Sequence, residues 1–179
     1  MPFKSEPYRP LTSVYTDDNS GERKEVTAMK IAIACDPAGM PLKGPIEELL
    51  QEKGIEYVDL GMNEGESRDY PIYAVRVANK VVSGECELGI VLCGTGVGIS
   101  MAANKVDGIR CCCCSDCFSA KMSRAHNDAN MLALGGRVIA PEYARLIVET
   151  WLEGEFEGGG RHQKRIDMFK IIEQGGQLE

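Results

Sequence analysis

The chain has 179 residues, 44% hydrophobic and 26% charged, enough for one compact domain and too few for two of ordinary size. Its formal net charge of −7 argues against a general nucleic-acid binder, and no apolar run reaches the ~20 residues that span a bilayer. An acidic protein that binds an anion must gather its cations locally, so clustered arginines carry information.

Residues 1–28 contain Pro2, Pro7 and Pro10 and the polar stretch Thr16 to Glu25, with no sustained period of either kind. They are expected to form a poorly ordered N-terminal extension outside a domain spanning 29–179. From Met29 the pattern alternates. Lys30 to Cys35 reads as a short buried strand, followed after Asp36 by an amphipathic helix through Ile46, Leu49 and Leu50 that ends near Gly54. Glu56 to Leu60 is a second strand. Pro71 suits the first turn of a helix running to about Val82, with Asp69 as a candidate cap.

Leu88 to Cys93 is a third strand and Val97 to about Asn104 a helix. Ile109 to Cys114 is a fourth strand, Asp116 to about Arg124 a helix, and Met131 to Leu134 a fifth strand. Pro141 to Leu152 and, after Gly158 to Gly160, Arg161 to Glu173 close the chain as helices. Near-continuous apolar strands alternating with helices predict an α/β fold: a five-stranded parallel sheet with helices on both faces. Ligands of such sheets bind outside the carboxyl ends of the strands, where Asp36 and Cys93 fall.

The eight cysteines sit mainly in apolar strand-like segments, unlike those of a disulfide scaffold. Together with the absence of a signal-peptide pattern they suggest reduced thiols and a cytoplasmic protein. Within Cys111 to Cys114, alternate residues face opposite ways and cannot converge on one metal. Cys114 and Cys117 form a C-x-x-C pair, which leaves a metal or redox protein as one hypothesis; no second pair stands at suitable spacing.

Cys93-Gly94-Thr95-Gly96-Val97-Gly98 follows a strand and opens a helix, where free N–H groups and the helix dipole favour an anion. It lacks the lysine of a P-loop and the spacing of a dinucleotide turn. A tight turn without a ligand would carry the same glycines. A thiol at such a turn is placed to serve as base or nucleophile. Arg161 and Arg165, four apart at a helix start, share a face and suit bidentate phosphate binding; a solvated basic end is the alternative. Histidine is the residue type that changes charge near neutrality and can move protons, which makes His126 a candidate, although a lone histidine is also common as a structural residue. His162 is read as a surface residue.

Five ordered segments carry a resemblance. They are Lys30-Ile-Ala-Ile-Ala-Cys-Asp36, Ser67-Arg-Asp-Tyr-Pro71, Cys93 to Lys105, Ser123-Arg-Ala-His-Asn-Asp-Ala-Asn130 and Gly159-Gly-Arg-His-Gln-Lys-Arg165. Together they resemble the ribose-5-phosphate isomerase B family, which includes the galactose-6-phosphate isomerase subunits. The resemblance implies a Rossmann-like αβα sandwich that isomerises a phosphorylated aldose and ketose without metal or cofactor. It implies a homodimer or homotetramer with shared active sites.

It further implies that Cys93 moves the proton between C1 and C2, with Thr95 alongside and His126 assisting ring opening. Gly94, Gly96, Val97 and Gly98 would hold the enediolate through their N–H groups. Arg161 and Arg165 would bind the phosphate with Arg137 as a further anion contact, Asp36 would position a hydroxyl, Tyr70 would line the pocket, and Asn127 would contact substrate beside His126. Pro37 departs from the pattern, since the family usually has histidine there. A non-catalytic sugar-phosphate-binding subunit is therefore the alternative reading, with substrates from C4 to C6 in range.

Overall fold

A computed structural model of the chain describes residues 13–17, 23–27, 29–63 and 65–178. Five strands form one parallel sheet: β3 (Lys30–Cys35), β4 (Glu56–Asp59), β5 (Leu88–Cys93), β6 (Cys111–Cys113) and β7 (Met131–Gly135), in the order β4-β3-β5-β7-β6. The helices are α1 (Met40–Glu52), α2 (Tyr70–Val82), α3 (Val97–Ala103), α4 (Cys117–Asn127), α5 (Pro141–Leu152) and α6 (Gly160–Glu173). The α/β expectation holds. None of the helices among the described residues is long and apolar enough to cross a membrane.

Strand alternation divides the core in two. Ile31, Ile33 and Cys35, with Ile90 and Leu92, pack against Leu42, Ile46 and Leu50 of α1 and Ile147, Val148 and Trp151 of α5. Ala32, Ala34, Val91 and Ala133 face the other way, against Tyr73, Ala74 and Val77 of α2 and Ile99 of α3. Small residues on this second face let α2 come close: a Cβ on Gly89 would lie 2.6 Å from Val77 Cγ1.

The chain leaves β3 for β4 on one side and reaches β5, β7 and β6 on the other. The order therefore reverses between β3 and β5, which is where a doubly wound sheet opens a crevice at its carboxyl edge. Asp36 follows β3 at that edge, and Cys93 ends β5 there.

Four local expectations change. The fourth strand is only Cys111–Cys113: the Arg110 N–H, which a ladder would use, is bonded instead by the Asn130 side chain at 2.8 Å. The helix expected to end near Arg124 continues to Asn127 before Asp128 turns left-handed at φ 45°. Asp69 stands at the N-cap of α2, but its side chain accepts no capping hydrogen bond. Finally, β1 (Ser13–Asp17) and β2 (Arg23–Thr27) pair antiparallel within the segment that showed no sequence period. The rest of the expected extension lies outside the described residues.

Candidate active site

The turn after β5 is built around glycine. Gly96 has φ 78°, a left-handed conformation, and starts α3; a Cβ there would meet Cys113 Sγ at 2.9 Å. This geometry aims the Gly96 N–H at Cys93 Sγ, 3.2 Å away, while the thiol itself is buried. Thr95 Oγ1 accepts the Val97 N–H at 3.3 Å. The Thr95 and Gly98 N–H groups have no acceptor among the described residues, as expected of a helix start. Gly94 and Cys93 carbonyls are tied to the next loop by the Arg137 N–H at 3.0 Å and the Gly136 N–H at 2.8 Å. A thiol and unused donors thus stand together on a rigid turn.

Asp36 organises the neighbouring turn. Its Oδ1 accepts the N–H groups of Ala38 at 2.8 Å and Gly39 at 3.0 Å, leaving Oδ2 for a ligand hydroxyl. Asp36 lines a cleft of about 370 Å³ with Pro37, Ala38, Ser67, Arg68, Asp69, Tyr70 and Arg137. Tyr70 and Arg137 connect this cleft to the thiol turn. A Cβ on Gly98 would touch the Tyr70 ring at 2.9 Å, and one on Gly94 would lie 3.5 Å from Arg137 Cδ. Close-approach glycines outside the expected motif assist: at Gly136 a Cβ would lie 2.3 Å from the Ala38 carbonyl oxygen.

The remaining candidates lie elsewhere. Helix α4 begins after the carboxyl end of β6 and returns, so His126 and Asn127 lie four or five residues before β7 opens. The Asn127 carbonyl accepts from Arg110, the residue immediately before β6, at 3.1 Å. His126 and Asn127 therefore belong to the amino edge of the sheet. Roughly 16 Å of strand, the rise along six residues, separates that edge from Cys93. One chain brings Asp36, Tyr70, Arg137 and the Cys93 to Gly98 turn together, and does not bring His126 to them.

At the amino edge His126 heads a second constellation. Its ring stacks on that of His162, with centroids 4.3 Å apart and planes within 8°. Glu157 faces both, at 3.9 Å from His126 Nε2 and 3.8 Å from His162 Nε2. Arg161 Nε donates to His162 Nε2 at 3.3 Å, while Arg161 and Arg165 are exposed and have no carboxylate within 4 Å among the described residues. Here the surface reading of His162 is corrected: it is buried, 8% exposed, because it faces α4 and not solvent. Burial, with His126 and Arg161 beside it, pushes its imidazolium pKa down. Its burial, together with Glu157, is the feature that sequence reasoning missed; the spacing of His162 one residue after Arg161 was the available signal.

His126, Glu157 and His162 place donor atoms within 4.8 Å of one another. Two parallel rings 4.3 Å apart cannot both hold one ion in their planes, and Arg161 already occupies His162 Nε2, so the set is poorly shaped for a metal. Burial likewise raises the thiol pKa of Cys111 and Cys112, and takes Cys114 up to about 12, making this run a poor source of thiolate ligands. Cys113 is the exception to the buried reading: it is exposed beside Thr95.

Fold and site define the class first: a Rossmann-like αβα protein with a thiol and a glycine turn at the switch point of a parallel sheet. The family model described as ribose/galactose isomerase matches residues 31–169. The chain is 51% identical to ribose-5-phosphate isomerase B of Escherichia coli over 145 residues, covering 81% of this chain and 97% of that one. It is 44% identical over 137 residues to D-erythrulose-4-phosphate isomerase of Pectobacterium atrosepticum, covering 76% and 90%. Among solved structures, ribose-5-phosphate isomerase B of Clostridium thermocellum superposes with a TM-score of 0.79 at 51% identity, covering 82% of this chain and 99% of that one. The chain belongs to the ribose/galactose isomerase family.

Proposed function

We propose that this chain interconverts a phosphorylated aldose and its ketose through a cis-enediolate, at a site completed by a second copy of itself. The observation that carries the reading is the Cys93 thiol on its turn, with the Gly96 N–H at 3.2 Å and neighbouring N–H groups unused. Cys93 as base takes the proton from C2 of the open-chain aldose and returns it to C1, while the hydroxyl proton of O2 passes to O1 within the enediolate. Negative charge develops on the carbonyl oxygen, where the free Thr95 and Gly98 N–H groups and the Thr95 hydroxyl stabilise it; fixed donors of this kind contribute several kcal/mol (about 3–4 for one good donor). Asp36 Oδ2 holds a sugar hydroxyl, Tyr70 lines the cleft, and Arg137 faces the anionic end.

His126, Asn127, Arg161 and Arg165 then come from the second copy, with His126 assisting ring opening and the arginines binding phosphate. Exposed apolar side chains support self-association: Val97 directly after the turn is 52% exposed, Met101 62%, Phe118 74% and Val138 59%. Relatives named as isomerases in their own right favour catalysis over a purely binding subunit. Their names span four- and five-carbon substrates, so a coupled assay over C4, C5 and C6 aldose and ketose phosphates decides the sugar.

Replacing Cys93 with Ala is expected to abolish exchange of the substrate C2 proton with solvent while leaving the unfolding transition in place. NMR in deuterated buffer measures it directly. Undiminished exchange would remove Cys93 from the role of base.

A further inference from the structure

The cleft between Asp36 and Tyr70 holds a second cation to which the roles above give no task. Arg68 lines it, two residues before Tyr70, with its side chain 56% exposed. Its Nε donates to Glu66 Oε1 at 3.1 Å, but Arg76 Nη2 holds the same oxygen more closely, at 2.8 Å. The Arg76 bond is also the main cause of the lowered Glu66 carboxyl pKa. One carboxylate therefore serves two guanidiniums. Arg68 keeps Nη1 and Nη2 without an acceptor among the described residues.

The facing wall needs such a group. Pro37 lines the same cleft and supplies neither charge nor an N–H. Asp36 has committed Oδ1 to its own turn, and Asp69 adds a second carboxylate, so Arg137 alone would leave the cleft net negative. A phosphate monoester, carrying close to two charges, would draw no net attraction from this wall of the cleft and would depend wholly on the arginines of the second copy. With Arg68 counted, the cations match the carboxylates before a ligand enters, and two planar forks are available for its oxygens.

We propose that Arg68 is a specificity-determining residue that, with Arg137, grips the phosphate of the substrate along the Pro37 wall. This rests on the isomerase reading above. Because the grip persists from ground state to transition state, its loss acts on binding and spares the chemical step.

The experiment compares Arg68→Gln, Arg68→Lys and the charge control Lys121→Gln with the parent protein at fixed low salt. Steady-state kinetics use the best phosphosugar substrate, and calorimetry measures inorganic phosphate as a separate probe. Arg68→Gln is expected to raise KM and the phosphate Kd about tenfold while kcat stays within about twofold; Arg68→Lys recovers part of the loss, and Lys121→Gln changes neither. Unchanged KM and Kd in Arg68→Gln overturn the proposal, as does a fall in kcat with phosphate binding intact. Should the parent turn over no C4 to C6 phosphosugar while phosphate binding still weakens in Arg68→Gln, the anion contact stands and the isomerase reading falls.

Discussion

Glu157 faces two stacked imidazoles, at 3.9 Å from His126 Nε2 and 3.8 Å from His162 Nε2. His162 lies under the His126 ring, with the Arg161 guanidinium on its Nε2 and Arg165 a further turn along α6. Burial first, then the charges of His126 and Arg161, lower its pKa. The consequence for stability follows from proton linkage: below the ordinary histidine value of about 6.5, the unfolded chain takes up a proton that the folded chain refuses. Stability from this residue is thus full above that pH and is lost as pH falls. His162→Phe keeps a ring against His126 and removes the titration. Its melting temperature relative to the parent should rise progressively between about pH 7.5 and pH 5.5, as read by thermal unfolding across buffers. A constant difference would show that His162 does not titrate differently in the two states. The histidine at 162 was visible in the sequence, but its burial depends on how α6 meets α4, which no helical period around a single residue encodes.

Elements show the same division between local and tertiary information. Leu88–Cys93 and Lys30–Cys35 are legible because buried parallel strands need apolar residues on both faces, and Pro71 and Pro141 mark helix starts because they have no N–H to lose. The trimming of β6 is different. It is imposed by Asn130, whose side chain takes the Arg110 N–H and donates to the Gly108 carbonyl at 2.8 Å. Caps show it too: Asp69 was the candidate cap, whereas Asp116 was read as the first residue of its helix and stands instead at the N-cap of α4. Asp116 accepts the Ser119 N–H at 2.7 Å, and that bond lowers its carboxyl pKa; Asp69 makes no capping bond. Asp116→Ala is therefore expected to cost about 1 kcal/mol in denaturant unfolding, and Asp69→Ala only a few tenths of that. Equal losses would mean that both caps, or neither, form in solution.

For the whole molecule, the decisive fact is the direction of α4. The motifs around Cys93 and His126 were both legible, since each is a local run of residues. Their placement on opposite edges follows only from the crossover that carries the chain from the carboxyl end of β6 back to the amino end of β7. If each site joins the Cys93 turn of one copy to His126 of another, two inactive variants must repair each other. Cys93→Ala supplies an intact His126, and His126→Ala supplies an intact Cys93. In a two-fold dimer the mixed species then holds one wholly native site and one doubly defective site. Random exchange at equal concentrations makes half of the dimers mixed, so the mixture should recover about a quarter of the parent activity. Each variant alone stays near its own residual rate. Mixing after brief dissociation in mild denaturant, followed by the isomerase assay, gives the measurement. A mixture no more active than its components, with exchange shown by mass spectrometry, would require Cys93 and His126 to serve the same chain's site, against the topology of the sheet.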